Sequence, residues 1–389
     1  MEFSMKDSYR NMVEAASGGK NTVMYDDYGN PNIMVCIPAY NVRCVGIQLD
    51  ELHPAFNVEG KEVSEIWIGK YPGSWGEGGV SVSLPNANPI MGNFNNDKAR
   101  ELCMKKGNGW HLLTSIEWAA VMLQAMVNGH VITGCGMDKL TGKVSGGIPA
   151  DNAMAELPVV KTGTGPVEWS SDGTQYGIYD MVGYMWEQTD GILYNIRTGS
   201  VRVHGYDKDG NGLLCAANMP FSNKYVHMGW NYDQPTDQEK NGKISFDTSP
   251  ELGDGAWPNS GTRMFAPYSG IMPIIDEPQI KNVAPGSQEL AVIPLHDPSM
   301  KTVQTQYLGQ MTPYTEYNTV SLQRNINRKD DCWVDIRRGG RASGTGAAYP
   351  GMFSMSTNDS LDPEQPSNQI GDLTAPRPCW VEYHRKYGE

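Results

Sequence analysis

Two short stretches, Asp180–Gln188 (DMVGYMWEQ) and Arg338–Arg341 (RGGR), constrain this chain more than any others. The first sets an aromatic plane and a carboxylate beside a glycine, and the second sets two glycines between arginines. Neither a helix nor a plain strand suits such patterns. Glycine admits unusual backbone angles and close approach, Trp186 offers a large apolar plane, and Glu187 offers an acceptor that tolerates burial. Together with Gly107–Ala119 (GNGWHLLTSIEWA) they read as a scaffold, not as an active site.

Composition fits a scaffold of turns and short strands. Of the 389 residues 39% are hydrophobic and 19% charged, so a core is available, while Gly (44), Pro (25), Tyr (19) and Trp (10) are abundant. That balance disfavours a helical bundle. The net charge of −13, with no basic stripe, excludes nonspecific nucleic-acid binding, which needs clustered Lys and Arg. Met1–Arg10 is polar and unlike a signal peptide, and no apolar run approaches the roughly 20 residues of a membrane helix. Synthesis in a cytoplasm and no membrane insertion are expected. Seven cysteines without a CxxC pair point to reduced, buried thiols and against a disulfide scaffold or zinc site.

Residues 1–30 read as a polar lead-in with a short helix near Asp7–Ala16, ended by Ser17–Gly19. Asn32–Ile37, stopped by Pro38, and Glu65–Tyr71 have the β-rich composition of strands, and Gly73–Pro89 has that of a loop. Helical spacing over Asn95–Lys106 stops at Gly107. Thr114–Glu117 (TSIE) is a capping box, opening a helix that runs to Asn128–Gly129. Beyond it lie loops and short strands. Residues 205–330 read as a loop-rich insertion into a domain over 31–389, with strands expected within Asp276–Leu295, Thr302–Tyr307 and Trp333–Ile336. The fold class expected is α+β, with short strands, two main helices and extensive loops.

Motifs of known chemistry are incomplete. Asp207–Gly212 (DKDGNG) copies the opening of a calcium loop, but Asn218 stands where a bidentate Glu closes it, so a polar turn is expected. The seven histidines show no HxxxH or HExxH spacing, which leaves only a metal triad assembled from distant segments; His111, next to Trp110, is expected to pack into the scaffold. No GxSxG elbow occurs, and no Walker lysine follows Gly163–Gly165 or Ser343–Gly346. Glu168 and Glu187, each beside a tryptophan, could be imagined as a glycosidase pair; tryptophans filling the core and acids capping loops is the preferred expectation.

Gly109–Trp118, Gly177–Glu187 and Arg338–Arg341 resemble the formylglycine-generating-enzyme-like (sulfatase-modifying factor) branch of the C-type lectin fold. Within it the chain is similar to tail or receptor-binding proteins of phages and prophages of Gram-positive gut bacteria. It is also similar to the variable proteins served by diversity-generating retroelements. Ser17–Asp27, Ile33–Pro38, His53–Phe56 and Glu65–Tyr71 support the likeness, which covers about 10–190 and 330–377. The chain departs from it at Gly183–Gln188, where Gly-Asn-x-Trp-Glu-Trp is usual, and at Gly371–Arg377, where the closing Gly-Phe-Arg is replaced. The enzyme members use a cysteine pair or an iron-binding histidine set. Here the late cysteines are Cys332 and Cys379, with no histidine-rich motif, so no catalytic residue, metal or cofactor is carried over.

The resemblance implies a non-enzymatic adhesion protein of a virion tail or fibre, assembled in the host cytoplasm and acting outside the cell. Its partners would be a host cell-surface glycan or protein and other tail proteins, in a homo-oligomer such as a trimer. The binding members present side chains from a C-terminal segment, which maps here to Arg341–Asp359. Arg341, Thr345, Tyr349, Ser354, Ser356, Asn358 and Asp359 are the expected ligand contacts, with Phe353 and Met355 turned inward. A copper- or iron-dependent oxidase using Cys332 and Cys379, and a purely structural virion component, are the alternatives.

Overall fold

A computed structural model of the chain describes residues 2–41, 44, 52–58, 61–92, 96–135, 146–154, 157–195, 201–203, 243–244, 280–284, 287–290, 320–321, 323–325, 333–341, 352, 355–357 and 374–382. These form three α-helices and mainly antiparallel sheets, an α+β arrangement. Among them no helix is long and apolar enough to cross a membrane.

Helix α1 spans Glu2–Ser17. It starts five residues earlier than the short helix expected near Asp7–Ala16. Its end is local chemistry: Gly18 and Gly19 take φ of 61° and 84°, and the Ser17 hydroxyl accepts from the Asn21 amide at 2.9 Å. Strands β1 (Asn21–Tyr25) and β2 (Pro31–Pro38) follow as an antiparallel pair. β2 runs through Pro38 instead of stopping before it; the proline occupies the last pair of the ladder, opposite Glu65, where a missing donor costs least. The short pair β3 (Asn57–Val58) and β4 (Lys61–Glu62) precedes β5 (Glu65–Gly69). The stretch expected to be loop holds a small hairpin of β6 (Ser74–Trp75) and β7 (Ser81–Val82).

Helix α2 (Asn96–Met104) and helix α3 (Ser115–Val127) match the expected helices closely, and strand β8 (Trp110–Leu112), which was not expected, lies between them. The capping box is complete. The Glu117 amide donates to the Thr114 hydroxyl at 3.1 Å, and the Thr114 amide donates to Glu117 Oε2 at 2.9 Å. Trp118, Ala119, Ala120, Val121, Met122, Leu123 and Ala125 are all buried, so α3 is an interior helix and not an amphipathic surface one.

The remaining strands are β9 (Trp186–Asn195), β10 (Val201–Val203), β11 (Lys243–Ile244), β12 (Ile280–Ala284), β13 (Ser287–Leu290), β14 (Val320–Ser321), β15 (Gln323–Asn325), β16 (Trp333–Arg338), β17 (Met355–Thr357), β18 (Thr374–Pro376) and β19 (Pro378–Trp380). One sheet has the order β1-β2-β5-β19-β8; another runs β11-β10-β9-β16-β17-β14, with β18 also paired to β9. A third sheet is β12-β13-β15. The expected strand at Thr302–Tyr307 lies outside the described residues. Asn195 of β9 pairs with Trp333 of β16, so the two ends of the stretch 196–332 face each other in the second sheet, which also takes β10, β11 and β14 from within it.

The Asp180–Gln188 stretch departs from expectation in one respect: its last three residues open β9. The irregular part comes before, with Asp180 at φ 63° and Gly183 at φ 68°. Gly183 donates to the Gly339 carbonyl at 2.9 Å, and Tyr184 bridges to Arg341. The two stretches that opened the sequence reading therefore meet.

Candidate functional site

The C-terminal segment is held at several points by buried groups. Arg337 and Arg338 of β16 are 1% and 0% exposed, and Arg337 lies over the Trp186 ring at 5.5 Å. Burial pulls the Arg338 guanidinium down to about 9. Gly339, at φ 86°, sits where a Cβ would be 2.1 Å from the Met181 carbonyl oxygen, so only glycine lets the chain pass. After Arg341 the segment returns twice. The Trp118 indole of α3 donates to the Met352 carbonyl at 2.8 Å, and β17 pairs with β16 in the register Arg337↔Ser356 and Arg338↔Met355.

Two of the expected ligand contacts fall on this framework. Arg341 is half-buried at its bridge to Tyr184, and Ser356 is a backbone partner of Arg337. Thr345, Tyr349, Ser354, Asn358 and Asp359 lie outside the described residues, as do Phe353 and the Asp207–Gly212 turn.

Beneath the segment is a polar core that the sequence reading missed. Arg377 is fully buried and donates to both carboxylate oxygens of Glu187, from Nε to Oε2 at 2.8 Å and from the second terminal nitrogen to Oε1. It also donates to the carbonyls of Gly69 and Tyr179, each at 2.9 Å. Arg377 thus ties the junction of β18 and β19 to the start of β9. Asp180 lies nearby with Oδ2 accepting from the Gly163 amide at 2.7 Å, and burial raises its carboxyl to about 7. Its Oδ1 has no hydrogen-bond partner among the described residues.

This arrangement bears on the imagined carboxylate pair. Trp169 and Trp186 fill the core as expected, at 1% and 4% exposure. Glu187, however, does not cap a loop: it is locked to Arg377, while Glu168 is exposed in a short 3-10 turn. Burial pushes the Glu187 carboxyl up and Arg377 pulls it back. A carboxylate with both oxygens committed to a buried guanidinium has no geometry for proton transfer to a substrate.

Two further features are absent from any local motif. A cleft of about 370 Å³ opens between the Gly18–Lys20 turn, β2, α3 and the 171–177 loop, with Lys20 and Asp172 at 3.9 Å on its rim. Elsewhere His111, Glu117 and Cys379 bring one nitrogen, one oxygen and one sulfur atom within 4.8 Å of one another, all buried. His111 Nε2 is 2.9 Å from Glu117 Oε1, and its Nδ1 is 3.0 Å from the Gly109 carbonyl. His53 and His130 belong to other surroundings: His53 packs with Tyr40 and Phe56, and His130 Nε2 meets the Ser170 carbonyl at 2.8 Å. The described cysteines, Cys36, Cys44, Cys103, Cys135 and Cys379, are free thiols, and burial pushes the Cys36 and Cys103 thiols up to about 12. Cys332 lies outside the described residues.

No protein-family model matches the chain, and no curated protein matches its sequence.

Proposed function

We propose that the chain is a receptor-binding protein of a phage or phage-like particle, built on a C-type lectin-like domain and acting by reversible adhesion, not catalysis. One observation supports this most: the segment after Arg341 follows the buried residues Arg337, Arg338, Gly339 and Gly340 and is tied again at Met352 and at β17. Fixed points on both sides of residues 342–351 are what a face of interchangeable contacts needs, since side chains there can change without loosening the core. The likeness of the scaffold stretches to phage and retroelement-diversified proteins supplies the rest of the reading.

In this reading Arg341, Thr345, Tyr349, Ser354, Ser356, Asn358 and Asp359 contact a host-surface glycan or protein. Single sites are weak, and a trimeric or higher copy number on a tail fibre supplies avidity. Assembly takes place in the host cytoplasm, beside other tail proteins, and the face acts outside the cell.

The test is binding of purified, labelled protein to a panel of intact Gram-positive gut bacteria, with a Tyr349→Ala/Asn358→Ala variant alongside. Strain-selective binding that the double variant loses supports adhesion through this face. A folded, oligomeric protein that binds no strain favours a structural virion component instead.

A further inference from the structure

His111, Glu117 and Cys379 come from three elements: β8, the first turn of α3, and β19. β8 and β19 are adjacent antiparallel strands in which His111 and Cys379 are direct partners. Their exposures are 2%, 0% and 0%, so the three donor atoms face one another away from bulk water. The far atom of each polar ligand is already held by backbone. Nδ1 of His111 lies against the Gly109 carbonyl, and Oε2 of Glu117 accepts from the Thr114 amide. That leaves Nε2, Oε1 and Sγ as the converging atoms.

Such pinning is the outer-shell arrangement that metal-binding imidazoles show, where the second ring N–H goes to a carbonyl and fixes the tautomer and ring orientation. A mixed nitrogen, oxygen and sulfur set suits zinc, and hard cations such as calcium and magnesium avoid thiolate. Charge balance agrees. A divalent cation with one thiolate, one carboxylate and a neutral imidazole sums to zero, which is the state a buried site tolerates best.

The geometry points to a buried zinc site made by Nε2 of His111, Oε1 of Glu117 and Sγ of Cys379, joining β8, α3 and β19. Zinc takes the place now bridged by the His111–Glu117 hydrogen bond. On binding, the Cys379 thiol gives up its proton as the zinc–sulfur bond forms, and the proton shared by Nε2 and Oε1 leaves with it to solvent; no redox change is involved. Three protein donors leave one position for a water or another donor. Spacing motifs could not reveal this set, because Cys379 reaches the other two only through strand pairing.

The experiment is elemental analysis of the full chain, purified without chelator and refolded with excess zinc, followed by cobalt substitution. Equimolar zinc, a melting temperature lowered by removing it, and a thiolate-to-cobalt charge-transfer band support the site. Cys379→Ser should abolish the band, while Cys36→Ser, at a half-buried thiol on β2, should keep it. If Cys379→Ser does not fold, the wild-type stoichiometry and cobalt spectrum decide alone. A folded wild type that retains no zinc, or a cobalt spectrum without a sulfur band, overturns the proposal and leaves a proton-bridged His111–Glu117 pair.

Discussion

Arg377 and Glu187, separated by 190 positions in the chain, form a two-point ion pair with both side chains at 0% exposure. The pair fixes the closing segment against the start of β9 and supplies donors to the Gly69 and Tyr179 carbonyls. Breaking one half of a buried pair leaves an uncompensated charge, at a cost of about 3–5 kcal/mol. Arg377→Met alone should lower the unfolding free energy by about 3–5 kcal/mol, read as a lower urea midpoint, or prevent folding. Glu187→Leu/Arg377→Met should recover part of it, but not all, because two carbonyls still lose their donor. A double variant no more stable than the single one would show that the carbonyl contacts dominate.

Gly339 makes a second prediction at the base of the C-terminal segment. An alanine there meets both a left-handed backbone and the Met181 carbonyl, and its Cβ would also lie 2.8 Å from the Trp118 ring. Gly339→Ala should cost about 2–5 kcal/mol, combining backbone strain with overpacking. Gly79, at φ 66° with nothing within 4 Å of a Cβ, isolates the backbone part. Gly79→Ala should cost only about 1–2 kcal/mol in the same denaturation assay.

Asp180 sets a slope of stability between about pH 4 and pH 7. Its carboxyl rises from 3.8 to about 7 on folding, chiefly through burial. The folded state then binds the extra proton, so the contribution is full below the unfolded pKa and is lost as pH climbs from about 4 to about 7. The total is about 4 kcal/mol. Asp180→Asn removes this slope and keeps a residue that accepts positive φ.

His53 acts with the opposite sign. Burial lowers it from 6.5 to about 3, while its Nδ1 accepts from the Ala55 amide at 3.2 Å. Here the unfolded chain binds the extra proton, so stability falls as pH drops from about 6.5 toward 3, by about 5 kcal/mol in all. Between pH 4 and 6.5 the two slopes oppose each other. Melting temperatures of His53→Asn should therefore fall with rising pH in that window, and those of Asp180→Asn should rise. Parallel profiles for the two variants would refute the assignment.

What the sequence disclosed was what is local. The Thr114–Glu117 box needs only three intervening bonds of chain, and its two reciprocal hydrogen bonds are present. The β-rich stretches at 32–37 and 65–71 became β2 and β5, within two residues at the ends. Residues 2–6 show no helical period of apolar side chains, so the start of α1 depends on the helix propagating and not on patterning. The pairing of Arg377 with Glu187, and the meeting of Cys379 with His111, depend on which strands lie side by side. No periodicity carries that. Of the expected contact face, the sequence supplied the flanking glycines and arginines, while the tie from Trp118 to Met352 spans 234 positions and was invisible.

β19 lies inside its sheet, with Cys379 opposite Ile68 on one side and His111 on the other. A chain emerging from the ribosome therefore carries β5 and β8 as bare edges until residue 380 is free, and such edges invite pairing with other chains. Until then the sheet is open at its middle, and a product broken off before residue 374 would keep both edges bare.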